Sequence, residues 1–152
     1  LACGTGRYAR LLAELAGAHR VIGLDLSTGM LRVAARRSRS LRFVRGSALS
    51  LPFHDGALGA VNCSMALHLF PDAGRALREV GRVLGRGGSF TCVTVSTSGL
   101  PVMQPVEEAM GRIASLRFFD EVELLREIEA AGLRVQDVTR QRQAISIATR
   151  RE

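Results

Sequence analysis

Apolar and polar positions in this chain alternate between two periods. A helical spacing runs from Tyr8 to Leu15, and a short apolar run follows at Arg20 to Leu24, the length of a buried strand. The spacing predicts a second helix over Ser27 to Arg37, with Ser27 as N-cap and Leu31, Ala34 and Ala35 on one face. Leu41 to Arg45 reads as a strand, and Leu51-Pro52-Phe53-His54-Asp55-Gly56 as a turn. Ala60 to Ser64 is a strand, Ala66 to Phe70 a short helix, and Ala73 to Leu84 a longer helix capped by Asp72. Gly85-Arg86-Gly87-Gly88 is expected to stop that helix, because glycine takes left-handed C-cap geometry at little cost. A strand from Ser89 to Val95 leads to a Ser/Gly/Pro-containing loop, Ser96 to Pro105. Helices at Val106 to Leu116 and Asp120 to Ala131 come next, the second ended by Gly132. Strands at Leu133 to Arg140 and Ala144 to Thr149 close the chain, joined through Gln141, Arg142 and Gln143 as an antiparallel hairpin.

Repeated strand-helix alternation implies an α/β fold, a mostly parallel sheet covered by helices on both faces. There is no internal repeat, and residues 1–152 read as one domain. The 96–118 stretch is the one insertion into the rhythm. Composition, 47% apolar and 23% charged, is that of an ordinary globular protein. No apolar run approaches the ~20 residues of a membrane span. Cys3, Cys63 and Cys92 are scattered without a CxxC pair, so no zinc site or disulfide framework is expected, and a reduced cytoplasm is the default. The formal charge is +7, all 21 basic residues are Arg, and Lys is absent. The densest basic stretch, Arg32, Arg36, Arg37, Arg39, Arg42 and Arg45, is read as a solvated surface. Aromatics are 5% with no Trp, which disfavours a nucleic-acid platform.

Chemistry concentrates at Leu1-Ala2-Cys3-Gly4-Thr5-Gly6 and at Asp25, 19 positions after Gly6. Glycines at a strand-to-helix turn let the backbone approach a ligand closely, and a carboxylate about 20 residues on accepts from ribose hydroxyls. A nucleoside-containing cofactor is expected. Such a turn follows a buried strand of ~5 residues, of which Leu1 and Ala2 would be the remnant. The chain is therefore read as lacking most of its first strand. Losing three or four buried apolar side chains at ~1.5–3 kcal/mol each, against a total stability of ~5–15 kcal/mol, predicts that residues 1–152 alone are marginal. A sharp cooperative melt would contradict this.

The order of motifs resembles the class I S-adenosylmethionine-dependent methyltransferases, specifically the group with ubiquinone and menaquinone biosynthesis enzymes and many small-molecule methyltransferases. The resemblance rests on Ala2-Cys3-Gly4-Thr5-Gly6 and on Gly23-Leu24-Asp25-Leu26-Ser27 with Met30-Leu31. It continues through Gly46-Ser47-Ala48 before Leu51-Pro52-Phe53, Ala66-Leu67-His68-Leu69-Phe70-Pro71-Asp72, Leu77-Arg78-Glu79-Val80 and Gly87-Gly88-Ser89-Phe90. It implies a Rossmann-like, doubly wound, seven-stranded sheet with an antiparallel terminal hairpin, and S-adenosylmethionine as cofactor. The methionine part of the cofactor would meet Ala2, Cys3, Gly4 and Gly6, with Ala2 where glycine is frequent. Asp25 would hold the ribose, and Leu26 and Met30 the adenine face. Ser47 stands where the family carries an acid for the adenine amino group, leaving the Ser47 hydroxyl and the backbone at Ala48 and Leu49 to hold the base. Leu58-Gly59 replaces a common phenylalanine-aspartate pair.

Cys63 and Ser64, ending a strand, fall where such folds face the ligand. His68 is the candidate base, with an unperturbed pKa suited to the task. His54 and His19 are expected in solvent, and Glu79 with Arg82 as a structural pair. Residues 96–118 would form the acceptor pocket, and Leu100, Val102, Met103, Val106 and Met110 imply an apolar small molecule. Two other classes stay open. One is a non-catalytic domain that keeps the fold. The other is a nicotinamide oxidoreductase, since Gly4-Thr5-Gly6-Arg7-Tyr8-Ala9 fits G-x-G-x-x-A. The sequence leaves the oligomeric state open.

Overall fold

A computed structural model describes residues 1–97, 104–114 and 116–152. The chain forms two compact units, Leu1–Pro52 and Phe53–Glu152. In the first, helix α1 (Arg7–Ala16) precedes strand β1 (Ile22–Asp25), and helix α2 (Thr28–Arg37) connects it to strand β2 (Arg42–Arg45). β1 and β2 are parallel, pairing Ile22 with Arg42 and Asp25 with Arg45. Ser27 caps α2 as expected, its Oγ accepting from the Met30 N–H. Ala34 is buried on that helix, but Ala35 faces solvent rather than the core, so the apolar stripe is narrower than its spacing predicts.

The close fit of this unit comes from Gly23 and Phe43. A Cβ at Gly23 would lie 2.6 Å from the Phe43 ring. The absent side chain thus makes room for the ring across the two-stranded sheet. Cys3 donates its N–H to the Leu24 carbonyl at 2.9 Å, one sheet-like bond alongside β1.

The second unit contains strand β3 (Leu58–Ser64), helix α3 (Ala73–Val83), strand β4 (Leu84–Val95), helix α4 (Gln104–Ala114), helix α5 (Glu121–Ala130), and strands β5 (Leu133–Gln141) and β6 (Ala144–Arg151). Its sheet order is β3-β4-β6-β5, with β3 parallel to β4 and the remaining pairs antiparallel. The six described strands thus give a mixed α/β architecture with parallel pairing and the expected terminal hairpin. Its two-residue tip places Arg142 at φ 55, the left-handed geometry that tight hairpins require. The core is built on Leu77, Phe90, Phe119, Leu124, Ile128 and Ile145, all fully buried.

α3 is an amphipathic helix. Ala73, Ala76, Leu77, Val80 and Val83 recur at helical spacing and are buried. It meets α5 so closely that a Cβ at Gly81 would fall 2.1 Å from the Ala131 carbonyl oxygen. The helix ends at Val83, and Leu84 is already extended and begins β4. Gly85 to Gly88 therefore do not cap it. They let β4 pass close to neighbouring backbone, since a Cβ at Gly88 would meet the Gly59 carbonyl at 3.2 Å. Arg82 forms a bidentate pair with Glu79 and bonds Asp55 and the Phe53 carbonyl, tying the turn before β3 to α3.

Candidate functional site

The glycine turn alternates left-handed residues. Ala2, Gly4 and Gly6 have φ of 49, 52 and 81. Glycine adopts this region freely, whereas alanine is strained there. Gly6 begins α1 with its Cα against α2, where a Cβ would lie 3.1 Å from that of Ala34. Gly4 is different: a Cβ there would meet nothing within 4 Å. Its missing side chain opens space instead of filling a contact, as a ligand-facing glycine requires.

Asp25, at the end of β1, is fixed at both oxygens. Gly4 donates its N–H to Oδ2 at 2.7 Å and Ser27 donates to Oδ1 at 2.9 Å. A carboxylate has about four acceptor positions, so two remain for an incoming pair of hydroxyls. The carboxylate thus orients both the glycine turn and the start of α2. Desolvation, and then the nearby Asp25 charge, raise the pKa of the Cys3 thiol.

Leu26 and Met30 follow on the same segment and are 64% and 46% exposed. They form an apolar surface beside the carboxylate, suited to a planar base. Ser47 uses its Oγ locally, accepting from the Leu49 N–H at 3.1 Å. The Leu49 N–H is thereby taken up, which removes one of the backbone donors expected for the base. Ala48 and Leu49 are half-buried.

In the second unit, β3 ends at Cys63, Ser64 and a strained Met65, φ 55, whose N–H donates to the Val93 carbonyl at 2.7 Å. Cys63 is fully buried and pairs in register with Cys92. The hydrogen bond between the two thiols lowers the Cys63 pKa and raises that of Cys92. Successive residues of a strand point to opposite faces. Ser64 lies on the opposite face and donates to Asn62 Oδ1, which continues to Thr91.

His68 sits in a 3₁₀ turn, Leu67–Leu69, with Nδ1 3.2 Å from Thr94 Oγ1 and the ring buried. Burial holds its pKa below the ordinary 6.5, because it disfavours the imidazolium. The His68 carbonyl accepts from the Arg117 N–H at 2.9 Å, linking this turn to residues that line a cavity. His19 and His54 are exposed, as expected.

That cavity, about 710 Å³, is lined by Thr97, Glu107, Glu108, Gly111, Leu116, Arg117 and Phe118. Glu107 is buried and accepts from Gln143 Nε2 at 3.3 Å. Arg117 pairs with Glu127 and Glu123 at 2.8 and 3.1 Å. Leu100, Val102 and Met103 lie outside the described residues. Val106 and Met110 are about half exposed and are not among the lining residues. Thr94 and Glu107 carry no local sequence signal: one is a polar residue at a buried strand position, the other an acid on the inner face of a helix.

A family model described as a methyltransferase domain matches residues 1–92. The chain belongs to this methyltransferase family. It is 35% identical over 114 residues to a demethylmenaquinone methyltransferase of Lactococcus lactis, covering 71% of this chain and 45% of the relative. The corresponding Thermotoga maritima protein is 42% identical over 88 residues, covering 58% of this chain and 38% of the relative. The chain spans about half the length of these relatives or less. Among solved structures, a geranyl diphosphate methyltransferase in complex with S-adenosylmethionine superposes with a TM-score of 0.86 at 19% identity, over 99% of this chain and 75% of that one. A methyltransferase structure from Thermotoga maritima gives 0.78 at 21% identity, over 100% and 80%. The fold is thus the Rossmann-like methyltransferase fold, and the geranyl diphosphate enzyme is the one of these structures solved with S-adenosylmethionine. The residues present fit that molecule: Gly4 leaves open space, and Asp25 keeps acceptor positions beside an exposed apolar surface.

Proposed function

We propose that the protein transfers a methyl group from S-adenosylmethionine to a small-molecule acceptor. The observation that carries this reading is Asp25, braced on both oxygens by Gly4 and Ser27 and still able to accept from two hydroxyls. Ala2, Cys3, Gly4 and Gly6 would hold the methionine end and Asp25 the ribose. Leu26, Met30, Ser47, Ala48 and the Leu49 carbonyl would hold the base. The bound cofactor supplies a methyl group on a cationic sulfonium, whose charge disappears on in-line displacement. Positioning of this kind supplies up to about 7–11 kcal/mol of a barrier.

His68 is the proposed base. Its buried ring is neutral at physiological pH, and Thr94 fixes the orientation of Nδ1. Residues 1–152 would act as one catalytic domain, with 96–118 forming the acceptor pocket. Leu116 and Phe118 support an apolar acceptor body, and Thr97 and Glu107 a polar substituent on it. Demethylmenaquinone, named for the relatives, is the acceptor to test first. Three free thiols fit a reducing compartment, the cytoplasm.

Calorimetric titration of the folded protein with S-adenosylmethionine and, separately, NAD tests the donor site. Labelled-methyl transfer to demethylmenaquinone tests the acceptor. Donor binding without NAD binding supports the reading. A folded protein that binds neither overturns it in favour of a non-catalytic domain, and NAD binding alone points to an oxidoreductase.

A further inference from the structure

The net charge of the chain is confined to one unit. Leu1–Pro52 carries nine arginines against Glu14 and Asp25, a net of +7. The twelve arginines of Phe53–Glu152 are matched by twelve carboxylates. All nine arginines of the first unit are exposed. Among the described residues, none of them lies within ion-pair distance of a carboxylate, whereas the second unit has five such contacts.

The same unit carries an amphipathic helix turned outward. On α1, Ala9 is buried and Ala13 half-buried, while Tyr8, Leu11, Leu12 and Leu15 are 49, 46, 39 and 86% exposed. Leu11 and Leu15 lie one turn apart on one face, with Tyr8 and Leu12 beside them and Arg7 one turn before Leu11. Small residues face the unit and large apolar ones face away from it. α1 begins against α2, through Gly6 and Ala34, and α2 ends in Arg36 and Arg37 with Arg39 just beyond. Exposed leucines and unpaired arginines therefore sit on neighbouring helices.

We propose that this face docks on an anionic lipid surface, α1 placing Leu11 and Leu15 among the acyl chains and the arginines meeting the headgroups. Apolar insertion combined with electrostatic attraction is how interfacial helices bind. A second copy is disfavoured as occupant, since each would bring the same +7. Nucleic acid fits less well. Its base-stacking platforms need clustered aromatics, and Tyr8 is the one aromatic residue on this helix. The proposal is independent of methyl transfer.

Flotation of the full chain with vesicles of pure phosphatidylcholine, or with 30 mol% phosphatidylglycerol (about one lipid in three, enough for a strong surface potential), tests it. Binding is expected to the anionic vesicles alone and to weaken with salt. Arg36→Gln/Arg37→Gln/Arg39→Gln should weaken partition roughly fivefold per charge removed. Leu11→Ser/Leu15→Ser should weaken it independently, with circular dichroism unchanged because these side chains are already exposed. Arg126→Gln/Arg134→Gln, on the second unit, should leave it unaltered. Equal binding by all variants, or binding to neither vesicle, overturns the proposal. Binding of duplex DNA without anionic vesicles assigns the surface to nucleic acid and overturns it as well.

Discussion

Ala2 shows how a single side chain can register in the stability of the whole chain. Its φ of 49 is a glycine's conformation, and it alternates with two glycines that hold the same region. Left-handed geometry costs a non-glycine residue about 1–2 kcal/mol, partly offset by the greater unfolded-state freedom of glycine, about 0.4–1 kcal/mol. Ala2→Gly should therefore raise stability by roughly 0.5–1 kcal/mol, measured by denaturant unfolding. Asp25→Asn keeps the shape but replaces an acceptor oxygen with a donor that faces either Gly4 or Ser27. Hydrogen bonds to a charged group are worth about 1.5–3 kcal/mol, so S-adenosylmethionine affinity should fall by about 10- to 100-fold in a calorimetric titration. Unchanged affinity would remove Asp25 from the site. For His68, burial lowers the folded-state pKa, so the unfolded chain binds the extra proton more readily. Stability should then fall as pH drops below about 6.5, where the unfolded imidazole protonates first. His68→Gln should flatten that dependence and, with His68 as the proposed base, lower kcat by about 10²–10⁴. Asp25 and the glycines were legible because their chemistry is local in sequence. The Thr94 partner of His68 is 26 positions away and only the strand pairing brings it near.

Helices and strands were legible where period and caps agreed. Ser27, Asp72 and Asp120 each accept the N–H three residues on, and each starts a helix as its sequence implies. The end of α3 was misread because glycine has two uses that look alike in sequence. It serves as a left-handed cap or as a place of close approach, and only the neighbouring backbone at Gly59 distinguishes them. Gly81 is the sharper case, a mid-helix glycine kept small by the Ala131 carbonyl 2.1 Å from where a Cβ would sit. Although alanine is the better helix former, Gly81→Ala should destabilise the protein by at least about 2 kcal/mol through overpacking. A higher melting temperature for that variant would show that α3 and α5 are not in this contact.

At the scale of the whole chain, the α/β class and the closing hairpin were readable from the alternation of periods. The basic stretch from Arg32 to Arg45 was readable too, but the division into a cationic and a neutral unit was not, because the boundary at Pro52 emerges only from contacts in space. Sheet size sets an expectation for each unit. β1 and β2 form a two-stranded sheet, a size of marginal stability by itself, while β4 and β6 are the inner strands of a four-stranded one. Amide hydrogen exchange should therefore be faster at Gly23 and Leu24 than at Cys92 and Ile147, by at least about tenfold. Equal protection would mean that the small sheet opens only with global unfolding.

The tip of the terminal hairpin links parts that are far apart in sequence. Gln143 accepts the Ser96 N–H on its carbonyl at 2.8 Å and donates its side-chain amide to Glu107 in the cavity wall. With the cavity as the proposed acceptor pocket, a change in this β-turn would shift Glu107 and with it the shape of the pocket wall. Under the proposed function, drift at position 143 would then offer a route to a new acceptor, far in sequence from the residues proposed to hold the donor.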